Sequence, residues 1–415
     1  MKVGLQCALN DSNIDARQST SQRQLSISVS AIADNNMYSG NVPLNLCLIL
    51  DHSGSMSGEP LETVKQASKK LIQKLKPGDR ISVVAFDHRS KVIISNQEID
   101  TNPNYIFAEI DKLRSDGGTA IDEGLKTAID ELAKGKKDTV SQAFLLTDGE
   151  NEHGNNDRCL QLAKFAVTYG ITINTLGFGE NWNQDILEKI ADQGGGTMRY
   201  IEKADDAVNA FGSLFERMQS VGLTNAYLLF SLMPGVKLAE TKPVAQVAPD
   251  TIELPLEIQG NQFVVRIGDL MKDVSRIILA NMYINQLPEG RQNLANIQIR
   301  YDDPARRMTG ILSDIGSVYA NVTSAYQPAI NPEVQQSILA LGKYRQTQIA
   351  EQKLKQGDKS GAATMLQTAA KTALQMGDKQ AATVLQSSAT QLQQGGDLSE
   401  ADRKKTRIVS KTILQ

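Results

Sequence analysis

Two kinds of hydrophobic pattern divide the 415-residue chain. Between residues 43 and 220, continuous apolar runs alternate with segments in which apolar residues recur every three or four positions. Leu44-Asn45-Leu46-Cys47-Leu48-Ile49-Leu50 follows Pro43 and precedes a Gly/Ser loop, as expected of a central parallel strand buried on both faces. Residues 81–86, a short hairpin strand 91–94, and residues 143–146, 171–176 and 198–201 read as further strands. Residues 61–75, 105–113, 121–132, 160–169, 186–191 and 204–218 read as helices. Strands alternating with helices predict a doubly wound, Rossmann-like α/β unit.

Outside this unit the period changes to two. Leu25-Ser26-Ile27-Ser28-Val29-Ser30-Ala31-Ile32 alternates as a strand with one buried face does, and residues 226–232, 251–256, 262–267, 276–284, 295–300 and 308–313 are further candidates. Pro234-Gly235 and Pro288-Glu289-Gly290 punctuate them. An antiparallel β-sandwich is the expected arrangement. Because one of its strands precedes the α/β unit and the others follow it, the simplest division is a sandwich of residues 1–42 plus 221–325 with residues 43–220 inserted in it.

From residue 330 to 415 the chain is rich in Ala, Gln, Lys and Leu, and helices are predicted at 332–356, 359–376, 379–394 and 399–413. Gly357-Asp358-Lys359 followed by Ala362-Ala363-Thr364 recurs as Gly377-Asp378-Lys379 followed by Ala381-Ala382-Thr383. The offset of about 20 is shorter than the 34-residue tetratricopeptide period, so a helical hairpin rather than that solenoid is expected.

Composition adds exclusions. A net charge of −3 offers no basic surface for holding nucleic acid by counterion release. No run reaches the roughly 20 apolar residues that cross a bilayer, and Met1-Lys2-Val3-Gly4-Leu5-Gln6-Cys7 lacks the apolar core of a secretory signal. Cys7, Cys47 and Cys159 are an odd set without metal-ligand spacing, which points to a reducing, cytoplasmic setting.

Chemistry concentrates at the ends of two predicted strands. Asp51-His52-Ser53-Gly54-Ser55 puts one carboxylate and two hydroxyls directly after the first central strand. Thr147-Asp148-Gly149 ends another, and Asp116-Gly117-Gly118-Thr119 places a hydroxyl just ahead of the helix that begins near Ile121. In an open parallel sheet these loops converge at the carboxyl ends of the strands, near the switch in strand order. Carboxylate and neutral hydroxyl oxygens suit a hard divalent cation that keeps several waters.

Asp51-x-Ser53-x-Ser55, Thr119 and Asp148 together resemble the metal-ion-dependent adhesion site of von Willebrand factor type A domains, and the resemblance covers residues 43 to 220. It implies that Ser53, Ser55 and, in some states, Thr119 ligate Mg²⁺ directly, with Mn²⁺ or Ca²⁺ as alternatives, while Asp51 and Asp148 act largely through bound water. It also implies a protein partner that offers an Asp or Glu carboxylate, and a non-enzymatic role in scaffolding, assembly or regulation. Should the last helix of the unit shift on binding, the displacement would pass through Val221-Gly222 to the sandwich. The competing expectation is a Mg²⁺-dependent hydrolase acting on a phosphate or ester. No catalytic residues are assigned: Asp51, His52 and Ser53 are consecutive and diverge on an extended loop, so they cannot form a relay. His88 and His153 are expected on the rim as solvated residues, and Gly194-Gly195-Gly196 as a turn.

Overall fold

A computed structural model describes residues 1–33, 42–99, 102–179, 182–201, 204–272 and 274–411. The chain opens with three strands, β1 (Lys2–Leu9), β2 (Asn13–Asp15) and β3 (Thr20–Ile32). The first two were not anticipated; β1 buries only its last residue and carries no alternating signal.

The α/β unit then follows in the expected order: β4 (Leu44–Asp51), α1 (Glu59–Ile72), β5 (Arg80–Phe86), β6 (Ser90–Glu98), α2 (Asn104–Asp111), α3 (Ile121–Lys134), β7 (Val140–Thr147), α4 (Asn156–Thr168), β8 (Ile171–Phe178), α5 (Gln184–Gln193), β9 (Gly195–Ile201) and α6 (Ala204–Gln219). The sheet order is β6-β5-β4-β7-β8-β9. All neighbours are parallel except the β5–β6 hairpin. Every residue of β4, β7 and β8 is buried, which is why these strands read as unbroken apolar runs rather than alternations. Apolar stripes of α1 and α6 cover one face of the sheet, and those of α3, α4 and α5 the other. Acidic residues in the first turns of α1 and α3 and lysines in their last turns complement the helix dipoles. Chain order runs outward from β4 to β5 and β6 on one side and from β7 to β9 on the other, so the switch point lies between β4 and β7.

The rest of the strands are β10 (Val221–Leu232), β11 (Val236–Leu238), β12 (Val244–Ala248), β13 (Ile252–Glu253), β14 (Glu257–Gln259), β15 (Gln262–Met271), β16 (Arg276–Asn285), β17 (Gly290–Asp303), β18 (Met308–Leu312) and β19 (Gly316–Thr323). They form two sheets, β1-β3-β16-β12-β13 and β14-β15-β10-β17-β19-β2, with β11 on β16 and β18 on β17. One apolar cluster joins them, including Leu25, Ile27 and Val29 of β3 and Phe230, Ile297 and Val318 of the second sheet. Strand β3 therefore pairs with β16 across more than two hundred residues of chain. The strand expected at 251–256 shrinks to Ile252–Glu253, since Pro255 has no N–H to donate to a ladder.

Four helices complete the chain: α7 (Pro332–Lys355), α8 (Lys359–Gln375), α9 (Lys379–Gln393) and α10 (Glu400–Lys411). Residues 412 and 413 of the last expected helix lie outside the described residues. Asp358 and Asp378, the acidic residues of the repeated Gly-Asp-Lys, accept hydrogen bonds from Gly361 and Ala381 N–H groups and cap α8 and α9. Helix α7 docks on the first sheet through Val334, which packs with Val247 and Leu279.

Candidate metal centre

Asp51 is the last residue of β4 and fully buried. One carboxylate oxygen accepts the Ser53 N–H at 2.8 Å, folding the Asp-His-Ser segment back on itself. The other accepts the hydroxyl of Thr147, the last residue of β7. Two adjacent parallel strands are thus tied at their carboxyl ends across the switch point. Burial raises the Asp51 carboxyl to about 6, against the opposing effect of the Ser53 and Thr147 hydrogen bonds, and Asp148 adds like charge.

The hydroxyls and the second carboxylate sit just above. Ser53 Oγ and Ser55 Oγ are 3.1 Å apart, and Ser55 Oγ donates to Asp148 Oδ1 at 2.7 Å. Burial raises the Asp148 carboxyl as well. The Thr119 loop is fastened to the Asp51 loop by Gly54 N–H to Gly117 O at 3.0 Å and Asp116 N–H to His52 O at 2.9 Å. A Cβ built on Gly149 would lie 3.3 Å from Thr119 Oγ1 and 3.7 Å from Ser55 Oγ, so both hydroxyls flank one point of backbone. Gly117 has φ +71°, and a Cβ there would sit 2.6 Å from His88 Nδ1. The Gly-Gly pair is needed both for the left-handed turn and for the close approach.

All of Ser53, Ser55, Thr119 and Asp148 line one open cleft of about 660 Å³, with Asp51 beneath it. The arrangement offers hydroxyl oxygens and two carboxylates held at a burial cost, a donor set that fits a hard cation. Among the described residues no group of three or more His, Cys, Asp and Glu side chains is placed to hold a metal, so hydroxyls are essential to any site here. His88 and His153 pack against Gly117 and Gly118 and are exposed, as expected of rim residues. His52 Nδ1 lies 3.0 Å from the Arg114 carbonyl.

Sequence reasoning missed four participants. Thr147 was in view as part of Thr-Asp-Gly, and a polar residue closing an apolar run was its signal. Glu150 and Glu152 follow in the same loop and line the cleft. Glu400, the first residue of α10, also lines it, beside Trp182, over which Lys404 of the same helix lies at 4.3 Å. Nothing local in the sequence announces that contact.

A doubly wound sheet with this loop constellation at its switch point defines a von Willebrand factor type A domain, and that family matches residues 45–216. The Sll0103-like C-terminal alpha-helical domain matches residues 332–415. The chain belongs to this Sll0103-like type A family: it is 57% identical over 415 residues to the protein sll0103 of Synechocystis sp., covering 100% of this chain and 98% of that one. YfbK of Escherichia coli is 30% identical over 179 residues, covering 42% of this chain and 31% of its own length. Inter-alpha-trypsin inhibitor heavy chain H3 of Rattus norvegicus is 28% identical over 203 residues, 45% of this chain and 22% of that one. Among solved structures, the von Willebrand factor type A protein from Catenulispora acidiphila superposes with a TM-score of 0.83 over 99% of this chain and 97% of its own, at 18% identity. The ArnB paralog VWA2 from Sulfolobus acidocaldarius gives 0.61 over 99% and 98%, at 16% identity. Both likenesses concern the fold, and both extend beyond the type A unit. Domains of this class are typically protein-interaction modules, commonly with a divalent metal. No helix among the described residues is long and apolar enough to cross a membrane.

Proposed function

We propose that this chain is a non-enzymatic, Mg²⁺-dependent protein-binding module that captures an acidic side chain of a partner and serves scaffolding, assembly or regulation in the cytoplasm. The working unit is residues 43–220, set into a β-sandwich of residues 1–42 plus 221–325 and followed by the helices of 330–415.

The observation that carries this reading is the convergence of Asp51, Ser53, Ser55, Thr119 and Asp148 at one cleft. Ser53, Ser55 and Thr119 would supply neutral oxygens, with Asp51 and Asp148 adding negative charge close by. When bound, the cation supplies a positive centre that its hydroxyl ligands do not neutralise, which a carboxylate from another protein can approach with a charge-assisted contact. The protein's part is to hold the oxygens in place. Thr147 fixes the Asp51 carboxylate, and the Gly54–Gly117 and Asp116–His52 backbone hydrogen bonds fix the spacing of the two loops. The hydrolase alternative has no observation of its own: the histidines near the cleft are exposed and packed on the Gly117-Gly118 backbone.

The test is affinity capture with wild type in Mg²⁺, wild type in EDTA, and Asp51→Ala and Ser55→Ala in Mg²⁺, alongside titration of Mg²⁺ into each purified protein. Proteins held only by wild type in Mg²⁺, with weakened cation binding in both variants and no turnover of generic phosphate esters, support the module. Capture that survives Asp51→Ala with unchanged EDTA sensitivity sinks the site assignment.

A further inference from the structure

A second cavity, of about 630 Å³, lies away from the cleft where β9, the end of α6, the segment before β13, strands β15 and β16, and α10 meet. That volume lies in the range of small-molecule sites, and walls drawn from separate units are where such sites collect. Its charges do not balance. Four guanidinium groups, Arg199, Arg217, Arg266 and Arg276, share two carboxylates, Asp250 and Asp269.

Following each partner shows where the excess sits. Arg217 pairs with Asp250 at 3.2 Å, and Thr197 Oγ1 donates to the same oxygen. Asp269 accepts from the neutral Gln142 and Thr172. Buried Arg276 donates to two neutral oxygens, Asp269 O at 2.7 Å and Gln246 Oε1 at 2.6 Å. The Nε atoms of Arg199 and Arg266 are buried with no hydrogen-bond partner among the described residues, and Arg266 otherwise bonds only the neutral Tyr227 hydroxyl. Of the other charges on the wall, Glu188 and Asp192 pair with Lys411 and Glu253 with Arg345, while Lys164 and Glu257 offset each other in the count and leave the excess at two. Burial presses Arg276 down to about 10, and the like charges of Arg217 and Arg266 add to it.

The glycine run at the start of β9 belongs to this arrangement. Gly194 caps α5, and Gly195, at φ +68°, and Gly196 open the strand rather than forming a free turn. A Cβ on Gly195 would lie 2.5 Å from Arg266 Nη1, so the guanidinium reaches this wall only because the side chain is absent. The remaining wall is mixed, with an apolar part formed by Met198, Ile252, Leu254 and Ile408 beside the polar Gln184 and Gln193.

We propose that this cavity binds an organic phosphate, the phosphate held by Arg199 and Arg266 and the body resting on the apolar wall. An excess of two cations matches a phosphate monoester, which carries about −1.5 to −2 charge at neutral pH. The planar guanidinium fork suits its oxygens. A carboxylate would leave one arginine uncompensated, and inorganic phosphate would leave the apolar wall bare. This site does not depend on the cation reading.

The test is calorimetric titration of the full chain in EDTA, which silences any cation site, with AMP and phenyl phosphate as probes, adenosine as the uncharged control and inorganic phosphate as the bodiless one. The expected result is saturable one-to-one binding of at least one ester, tighter than inorganic phosphate, with adenosine silent. Arg199→Gln should weaken the ester about tenfold, ~1.4 kcal/mol. Arg266→Gln should do the same, and Asp51→Ala should leave the affinity unchanged. Absence of saturable binding for both esters at millimolar concentration overturns the proposal, as does equal affinity in wild type and a folded Arg199→Gln.

Discussion

Gly124 sits in the interior of α3, the helix that follows the Thr119 loop, where glycine is ordinarily a poor choice. Replacing a helical Gly by Ala usually gains about 1 kcal/mol. Here the new Cβ would meet Phe86 Cδ1 at 2.9 Å, Phe86 Cγ at 3.0 Å and Ile49 Cγ2 at 3.1 Å, all on fully buried residues of β5 and β4. Neither the ring nor the β-branched side chain is a flexible end that swings away cheaply. Overpacking of this kind costs about 1–3 kcal/mol. The clash at least offsets the helix gain, leaving Gly124→Ala destabilised by up to about 2 kcal/mol.

Gly342, inside α7, provides the matched control: a Cβ there has no atom within 4 Å, so only the helix gain of about 1 kcal/mol remains. A chain of several units need not unfold in one step. Hydrogen exchange of the α3 and α7 amides, read beside thermal unfolding, assigns each change to its unit. At about 2–4 °C per kcal/mol for units of roughly 150–250 residues, Gly124→Ala should lower the transition that carries α3 by up to several degrees and leave α3 without added protection, and Gly342→Ala should raise protection in α7. If Gly124→Ala protects α3 as well as Gly342→Ala protects α7, the close seating of α3 on β4 and β5 is wrong, and with it the placement of Thr119.

Asp51 gives a pH dependence whose sign can be fixed. Its folded-state pKa of about 6 lies above the ordinary carboxylate value because the group is buried, so without cation its contribution to stability is present at low pH and lost as pH rises through about 6. Mg²⁺ favours the ionised form, so its stabilising effect in thermal unfolding should be small near pH 5 and near full above about pH 7; an effect equal at both would exclude Asp51. Lys343, fully buried in α7, pairs with Asp378 at 3.1 Å and donates to Val409 O of α10. Lys343→Met should cost about 3–5 kcal/mol by stranding a buried carboxylate, and adding Asp378→Asn, which keeps the α9 cap, should recover most of it in urea unfolding. Glu400→Lys removes a rim carboxylate, so an acidic peptide should bind a few-fold tighter in Mg²⁺, a gain that high salt erases.

How much of this was legible in the sequence differs by element for physical reasons. β4, β7 and β8 are buried on both faces, and their apolar runs leave little else to be. The five candidate residues follow strand ends or precede a helix, positions that pattern locates, while their grouping into one site came from the family resemblance. The missed strands are short or mixed: β14 is three exposed residues held by its hairpin with β15, and β12 is five buried residues, too few to display a period. β19 does alternate, with Val318, Ala320 and Val322 buried, but exposed Tyr319 between them blurs the two faces. Arg266 beside Gly195, and Glu400 beside the cleft, depend on how separate units meet, and no local window contains both halves of such a contact.

Helix α10 draws these sites together. It is held on α5 by Arg407, paired with Asp185 and Glu188, and by Lys411, paired with Glu188 at 2.6 Å and Asp192 at 2.9 Å. Glu188 is almost wholly buried, so releasing the helix would strand charges that cost several kcal/mol to leave unpaired. Over its 12 residues, about 18 Å, the helix therefore moves as one piece or not at all. Its first residue lines the cleft above Asp51 and its last, Lys411, lines the arginine cavity. Arg217, at the far end of α6 and one residue pair from the direct junction with β10, forms the other wall of that cavity. A ligand that reseats either end of α10 must change affinity at the other, and by reciprocity the two changes are equal. Titrating Mg²⁺ with and without saturating AMP, and AMP with and without Mg²⁺, should give the same ratio of dissociation constants in both directions, different from one. A ratio of one in both would leave α10 a fixed strut, with the two sites independent.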